Sequence, residues 1–220
     1  MIQLPFTVEQ FLAVFHDYNE AAWPVQMILL ALAFLSLAFL FSQWRWSDVL
    51  ISAILGIFWI WSGLAYHLAY FASINPLAYL FAVLFVVAGL LFLWHGAVRR
   101  NLHFRSSRSA RGLVGYALIS FALLVYPAWS LLAGHGYPAM PTFGVPCPTT
   151  LFTVGMLAFL ARPYPRTPLI VPVLWSMVGV QAAFLLGVPQ DLGLLVAAVV
   201  GVVLLVHSGT PGERGEVAAS

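Results

Sequence analysis

Seven apolar segments separated by short links occupy most of the sequence. They lie at about 22–42, 49–71, 76–98, 112–133, 148–161, 168–187 and 190–207. Most of them reach the roughly 20 residues that a helix needs to cross the hydrocarbon core of a bilayer. Charged residues make up only 7% of the chain, whereas a soluble domain carries about 25%. We therefore predict an all-α protein of seven transmembrane helices, forming a single domain over residues 1–220 with the lipid bilayer as its main partner.

The basic residues occupy alternate links between these segments. All nine are arginines, and they fall in 43–48, 99–111, 162–167 and the C-terminal tail. Because arginine-bearing links stay on the cytoplasmic side, the N-terminus is expected outside and the C-terminus inside, with 208–220 as a disordered cytoplasmic tail. The absence of lysine excludes Schiff-base chemistry such as that of a retinal pump. The net charge of +2 gives no indication of nucleic-acid binding.

A short amphipathic helix is predicted before the first span, over about residues 5–20. Thr7 and Gln10 have the spacing of a capping box. Four apolar residues follow helical spacing on one face, and they are Val8, Phe11, Phe15 and Tyr18. We expect this helix to lie on the outer surface of the membrane.

The fifth apolar segment is short for a membrane span. From Pro148 to Arg162 it has about 15 residues, or roughly 22 Å of helix, against a hydrocarbon core of about 30 Å. Pro148 suits the first helical position, which makes Cys147, the only cysteine of the chain, the expected N-cap. The residues before it, 135–146, hold three prolines and no charge, and are expected to enter the protein as a re-entrant loop.

The polar residues of the spans collect in the predicted outer half of the membrane. A depth count of 1.5 Å per residue brings Tyr126 and Gln181 close to the start of the fifth span. His67 shares a face with Gly56 and Gly63, and small residues indicate that this face meets another helix. We predict a ligand-binding pocket there, and its candidate residues are Cys147, His67, Gln181, Asp191, Thr149, Thr150, Tyr126 and Glu20.

Each candidate also has a purely structural interpretation. Cys147 can be a small residue in a tight turn, and His67 can bond to a neighbouring helix at the membrane interface. Asp191 suits the first turn of a helix because of the helix dipole. Gln181 can bridge two helices, and Glu20 can simply end the amphipathic helix.

Three functions are compatible with such a pocket. The leading hypothesis is binding or transport of a small solute or a soft metal ion, with Cys147 and His67 as ligands that favour copper(I), zinc or mercury(II). The second is a membrane-embedded metal-dependent hydrolase. Seven spans with outer His, Asp and Glu resemble zinc hydrolases of the ceramidase and adiponectin-receptor type, but the last span lacks their HxxxH pair and offers only His207, on the inner side. The third is an accessory membrane subunit without chemistry.

Three stretches give the chain a family resemblance: LPFTVEQFLAVFHDYNEAAWP, FGVPCPTTLFTVG and AAFLLGVPQDLGLL. Over nearly its whole length the chain resembles an uncharacterised family of bacterial multi-pass membrane proteins that carry a domain of unknown function. The resemblance implies a location in the bacterial cytoplasmic membrane and a loose description as transporter permeases. It implies no reaction and assigns no functional residue.

Overall fold

The computed structural model describes residues 5–42 and 44–209, which form helices and no strand. Contiguous α-, π- and 3₁₀-helical turns are taken together as one helix. The bounds are α1 Val8–Ala22, α2 Val25–Ser42, α3 Ser47–Ser73, α4 Ala78–Val98, α5 Ala110–Leu132, α6 Pro146–Leu157, α7 Thr167–Leu185 and α8 Pro189–Val206.

Six of these helices, α2 to α5 together with α7 and α8, are long and apolar enough to cross a membrane. Large apolar side chains point outward along them: Phe34 is 51% exposed, Val83 60% and Val199 62%. Monomeric soluble proteins rarely expose a contiguous apolar surface of this extent, because it would contact water. The prediction of an all-helical, multi-pass membrane protein is confirmed at this level.

The arginines of the described residues gather at one end of the helix bundle, which we call the basic end. Arg105 donates to the carboxylate of Asp48 over 3.1 Å, and Arg111 donates to the carbonyl of Leu160. The Nε of Arg166 donates to the hydroxyl of Ser208 over 2.6 Å. The arginine-bearing links that lie far apart in sequence therefore meet in space, and the opposite end of the bundle is free of described arginines.

The fifth predicted span is a half-length helix at the centre of the bundle. Helix α6 has 12 residues and buries all of them except Cys147, so it covers about 18 Å. At the basic end, the N–H of Arg105 donates to the carbonyl of Phe159 over 2.8 Å. The predicted count of seven transmembrane helices is not confirmed, because six helices of the described residues are long and apolar enough to span a membrane and α6 is not one of them. Helix α6 lies between the loop before it and the turn after it, and the surrounding protein covers it.

The predicted start of this helix is wrong by two residues. Helix α6 begins at Pro146 and its N-cap residue is Val145, so Pro146 rather than Pro148 takes the first helical position. Cys147 is the second residue of the helix and not its cap. Both prolines fit because the first-turn N–H groups have no partner within the helix.

The amphipathic helix α1 packs onto the arginine-free end of the bundle. Its capping box is confirmed: the N–H of Gln10 donates to Thr7 Oγ1 over 3.2 Å and the N–H of Thr7 donates to Gln10 Oε1 over 2.8 Å. Phe11, Phe15 and Tyr18 are buried. The predicted tail, 208–220, lies outside the described residues except for two residues that include the buried Ser208.

Candidate ligand cavity

Close packing of α3 against α4 positions one wall of a cavity near the arginine-free end. A Cβ atom added at Gly89 would lie 2.6 Å from the carbonyl oxygen of Gly56, and one added at Gly63 would lie 2.9 Å from that of Ala82. Small residues at these crossings let the two backbones approach closely. The glycine face of α3 therefore meets a neighbouring helix, as its spacing predicts, and carries His67 inward with it.

A π-helical turn sets the direction of His67. The turn spans Ser62–Leu68, and such turns accommodate an extra residue and often occur at functional sites. Here Tyr66 and His67, neighbours in sequence, are both buried, with 3% and 0% of their surfaces exposed. The ring of His67 lies 4.6 Å from that of Phe85 and 5.0 Å from that of Trp175, centroid to centroid.

The cavity has a volume of about 230 Å³ and lies between α1, α3, α4, α6 and α7. Its walls are mainly apolar, and their aromatic members are Phe11, Phe15, Tyr66, Phe71, Phe81 and Trp175. Its polar lining residues are His67, Asn75, Cys147 and Gln181. The cavity is therefore an apolar chamber in which a few polar groups converge, which is the usual composition of a small-molecule site.

Helix α1 closes this chamber toward the arginine-free end. Phe11 and Phe15 of α1 line it and are 7% and 4% exposed. The indole N–H of Trp61 donates to the hydroxyl of Tyr18 over 2.7 Å, and burial raises the pKa of Tyr18 to about 12. Tyr18 is therefore a neutral phenol at physiological pH, and α1 is attached to α3 without any ionic contact there.

Two aromatic side chains at the cavity hold buried polar atoms that lack a hydrogen-bond partner among the described residues. They are both ring nitrogens of His67 and the Nε1 of Trp175. A Cβ atom added at Gly179 would lie 3.3 Å from that Nε1 and 3.5 Å from the sulfur of Cys147. Buried polar atoms are normally paired, so these atoms mark a place where a partner is missing.

A second polar group lies behind Cys147. The hydroxyl of Tyr126 donates to the carboxyl of Asp191 over 2.5 Å, and the thiol of Cys147 faces the same carboxyl. Ser130 lies one helical turn after Tyr126, and its hydroxyl accepts a hydrogen bond from the amide of Gln190 over 2.9 Å. Asp191 is 1% exposed, and it takes part in none of the ion pairs formed by the part of the chain that the structure describes. These contacts connect α5, α6 and α8.

The structure brings together five of the eight residues predicted for the pocket. His67, Cys147 and Gln181 line the cavity. Tyr126 and Asp191 form a hydrogen bond with each other directly behind Cys147.

The other three predicted residues lie elsewhere. Thr149 and Thr150 are buried in α6, where the hydroxyl of Thr150 donates to the carbonyl of Pro146 over 2.7 Å and that of Thr149 has no hydrogen-bond partner within the described residues. Glu20 is on the exposed side of α1, 3.8 Å from His16, and does not reach the cavity.

Sequence reasoning missed Trp175 and the aromatic cover of α1. Trp175 lies one helical turn before Gly179, and a glycine at that spacing leaves room for an indole beside it. This pairing is the signal that could have identified Trp175. The phenylalanines of α1 gave no such signal, because aromatic residues on an amphipathic face are equally expected for simple packing.

The cavity does not present a complete metal site. Within residues 5–42 and 44–209, no three His, Cys, Asp or Glu side chains are placed to hold one metal ion. A catalytic zinc ion takes three protein ligands and one open position. Cys147 and His67, the predicted metal ligands, have no third donor of these types grouped with them.

The thiol of Cys147 provides a direct chemical probe of the cavity. We expect a small uncharged maleimide to label it more than about tenfold faster than a charged one, because the charged reagent must lose its hydration and 1.36 kcal/mol already changes a rate tenfold. The measurement is the labelling rate in purified protein. Cys147→Ser should remove all labelling, since the chain has one cysteine.

A matched control moves the thiol to the exposed loop before α6. Gly136 is exposed and a Cβ added there would meet no atom within 4 Å, so Gly136→Cys in the Cys147→Ser background should react with both reagents at similar rates. Equal rates for both reagents at Cys147 itself would contradict its placement in an apolar cavity.

The comparisons with known proteins give one family. A family model described as a family of unknown function, DUF6064, matches residues 8–212. The resemblance of the sequence to an uncharacterised family is thereby confirmed. No curated protein and no solved structure matches the chain. These matches assign no role to the cavity.

Proposed function

Because the chain belongs to the DUF6064 family, which brings no activity with it, we propose from the geometry of the cavity that the protein binds a small lipid-soluble molecule. Binding is the step that a transport function also requires. The proposal specifies the class of the small solute: it is a molecule that reaches its site through the bilayer.

The observation that carries the proposal is the position of the cavity's open side. Three of its apolar lining residues are exposed on the outside of the bundle: Leu77 by 58%, Val178 by 43% and Leu185 by 42%. They lie at the start of α4 and in the second half of α7, so the opening faces the lipid side between these helices. On the arginine-free side, Phe11 and Phe15 close the cavity.

The size and lining of the cavity support the same class of ligand. An apolar cavity of about 150 Å³ already holds a benzene molecule, and this cavity measures about 230 Å³. It therefore has room for a compound of one or two rings. Aromatic walls bind such a compound by edge-to-face and stacked contacts, which a hydrophilic solute does not make.

The proposal extends to the orientation and location of the protein. The basic end is assigned to the cytoplasm and the cavity to the outer half of a bacterial cytoplasmic membrane. The gathering of arginines at one end, together with the tendency of such links to remain in the cytoplasm, supports this assignment.

Protection of Cys147 tests the proposed function. Tetralin, a two-ring hydrocarbon, should slow maleimide labelling of Cys147 in the purified protein in a saturable manner, because it competes for the same cavity. A water-soluble compound such as glucose should leave the rate unchanged. If no small lipid-soluble compound protects the thiol, the proposed function is wrong.

A variant at the opening tests the route of access. Val178→Trp should narrow the opening and slow both labelling by the uncharged reagent and the onset of protection by tetralin, by about tenfold for each 1.36 kcal/mol added to the barrier. Val199→Trp is the matched control, because Val199 is 62% exposed on α8 and does not line the cavity. The same slowing in both variants would contradict access between α4 and α7.

A further inference from the structure

The indole of Trp175 has an unused hydrogen-bond donor at the cavity. Its Nε1 is buried and has no partner among the described residues, although the ring lines the cavity. An indole nitrogen can only donate. The group missing from this position is therefore an acceptor. The sulfur of Cys147 faces this nitrogen, but a thiol sulfur is only a weak acceptor and does not satisfy the indole donor.

The imidazole of His67 lies beside that donor and is also unpaired. It is 0% exposed and neither of its ring nitrogens has a partner in the described part of the chain. Its neighbours within ring-contact distance are Tyr66, Phe71, Phe81, Phe85 and Trp175. A neutral imidazole carries one N–H donor. The ring centroids of His67 and Trp175 are 5.0 Å apart, so the two rings that lack hydrogen-bond partners are adjacent at the cavity.

The amide and carboxyl groups nearby do not supply the missing acceptor. Gln181 is exposed at the lipid-facing opening, and the amide oxygen of Asn75 already accepts from the N–H of Leu77 over 3.1 Å. The carboxyl of Asp191 is bonded to Tyr126 behind the wall. The inner part of the cavity therefore combines aromatic surfaces with a pair of donors.

We propose that the ligand is a ring-containing, lipid-soluble carbonyl compound whose oxygen accepts hydrogen bonds from Trp175 and His67. The proposal rests on the proposed function, because it assumes that a lipid-soluble molecule occupies the cavity. It adds the polar group by which the cavity distinguishes its ligand from the hydrocarbon chains that surround the protein.

A pair of matched compounds tests this proposal. 1-Tetralone and tetralin share the same two-ring skeleton and differ by the carbonyl oxygen. With protection of Cys147 as the readout, 1-tetralone should bind about tenfold more tightly, since one net hydrogen bond is worth up to about 1.5 kcal/mol and 1.4 kcal/mol is a factor of ten. Trp175→Phe should remove the tenfold preference for 1-tetralone over tetralin, and saturable protection by tetralin, at whatever affinity the altered wall gives, reports that the variant is folded.

Trp129→Phe is the control for the same chemical change on the lipid-facing side of α5, where Trp129 is 36% exposed. It should alter the binding of neither compound. A readout that needs no variant is the carbonyl stretching frequency of bound 1-tetralone, which should be lower than in an alkane solvent. Equal binding of both compounds, or an unshifted frequency, would overturn the carbonyl proposal while the proposed function stands. Failure of both compounds to protect Cys147 would overturn both.

Discussion

Replacing Asn19 by leucine should destabilise the protein by about 3–5 kcal/mol, because it breaks a set of buried hydrogen bonds and leaves their partners unpaired. The Asn19 amide nitrogen donates to the carbonyls of Pro138 and Met140 over 2.5 and 2.7 Å. Its amide oxygen accepts from Gln26 over 2.6 Å and from Thr142 over 2.7 Å. One side chain thus connects α1, α2 and the loop before α6. Thermal unfolding of the purified protein in detergent measures the loss.

The control for this substitution is Asn101→Leu at the basic end. Asn101 is exposed, and its side chain makes one hydrogen bond, to His95 over 3.1 Å. Its replacement should cost no more than about 0.5 kcal/mol. Because α1 covers the cavity, Asn19→Leu should also speed the labelling of Cys147 at temperatures well below unfolding. A similar loss of stability in both variants would show that the contacts of Asn19 are not what fixes α1.

Replacing Gly89 by valine should strongly destabilise the packing of α3 against α4. The first added carbon would lie 2.6 Å from the carbonyl oxygen of Gly56 and 2.6 Å from the side chain of Ile60. A backbone oxygen cannot move without separating α3 from α4, so we expect a cost of about 3 kcal/mol or more. The helical preference of valine over glycine, a few tenths of a kcal/mol, is too small to offset it. The measurement is the yield of folded protein together with its melting temperature.

Gly136→Val provides the comparison for this variant. Gly136 lies in the loop before α6, and an added Cβ there would meet no atom within 4 Å. We expect wild-type yield and a melting temperature unchanged within experimental error. The Gly89 prediction fails if its variant also folds with wild-type stability.

Several features of the fold could be predicted because each depends on local sequence. The spans follow from the length of apolar segments, and the capping box of α1 follows from Thr7 and Gln10. The inward face of α3 follows from the spacing of Gly56, Gly63 and His67. These patterns reflect helix geometry, which the sequence carries directly.

Other features depend on contacts between segments that lie far apart in the chain. Two prolines flank Cys147, and either can begin a helix, so the start of α6 at Pro146 is decided by packing. The opening between α4 and α7 and the unpaired indole of Trp175 become visible only when the helices are placed side by side. Estimated depth in the membrane places Glu20 near the predicted pocket, but depth does not determine which way a residue of α1 faces.

The burial of α6 also bears on how the protein is assembled in the membrane. A helix of 12 residues is well short of the roughly 20 that a bilayer needs, and protein rather than lipid surrounds it. Helices α2 to α5 can each enter the bilayer as they leave the insertion machinery, because their own apolar surfaces suffice. Helix α6 has to remain associated with these earlier spans until α7 and α8, which follow it in the chain, have been made. The packing around α6 is therefore complete only after the two helices that follow it are in place.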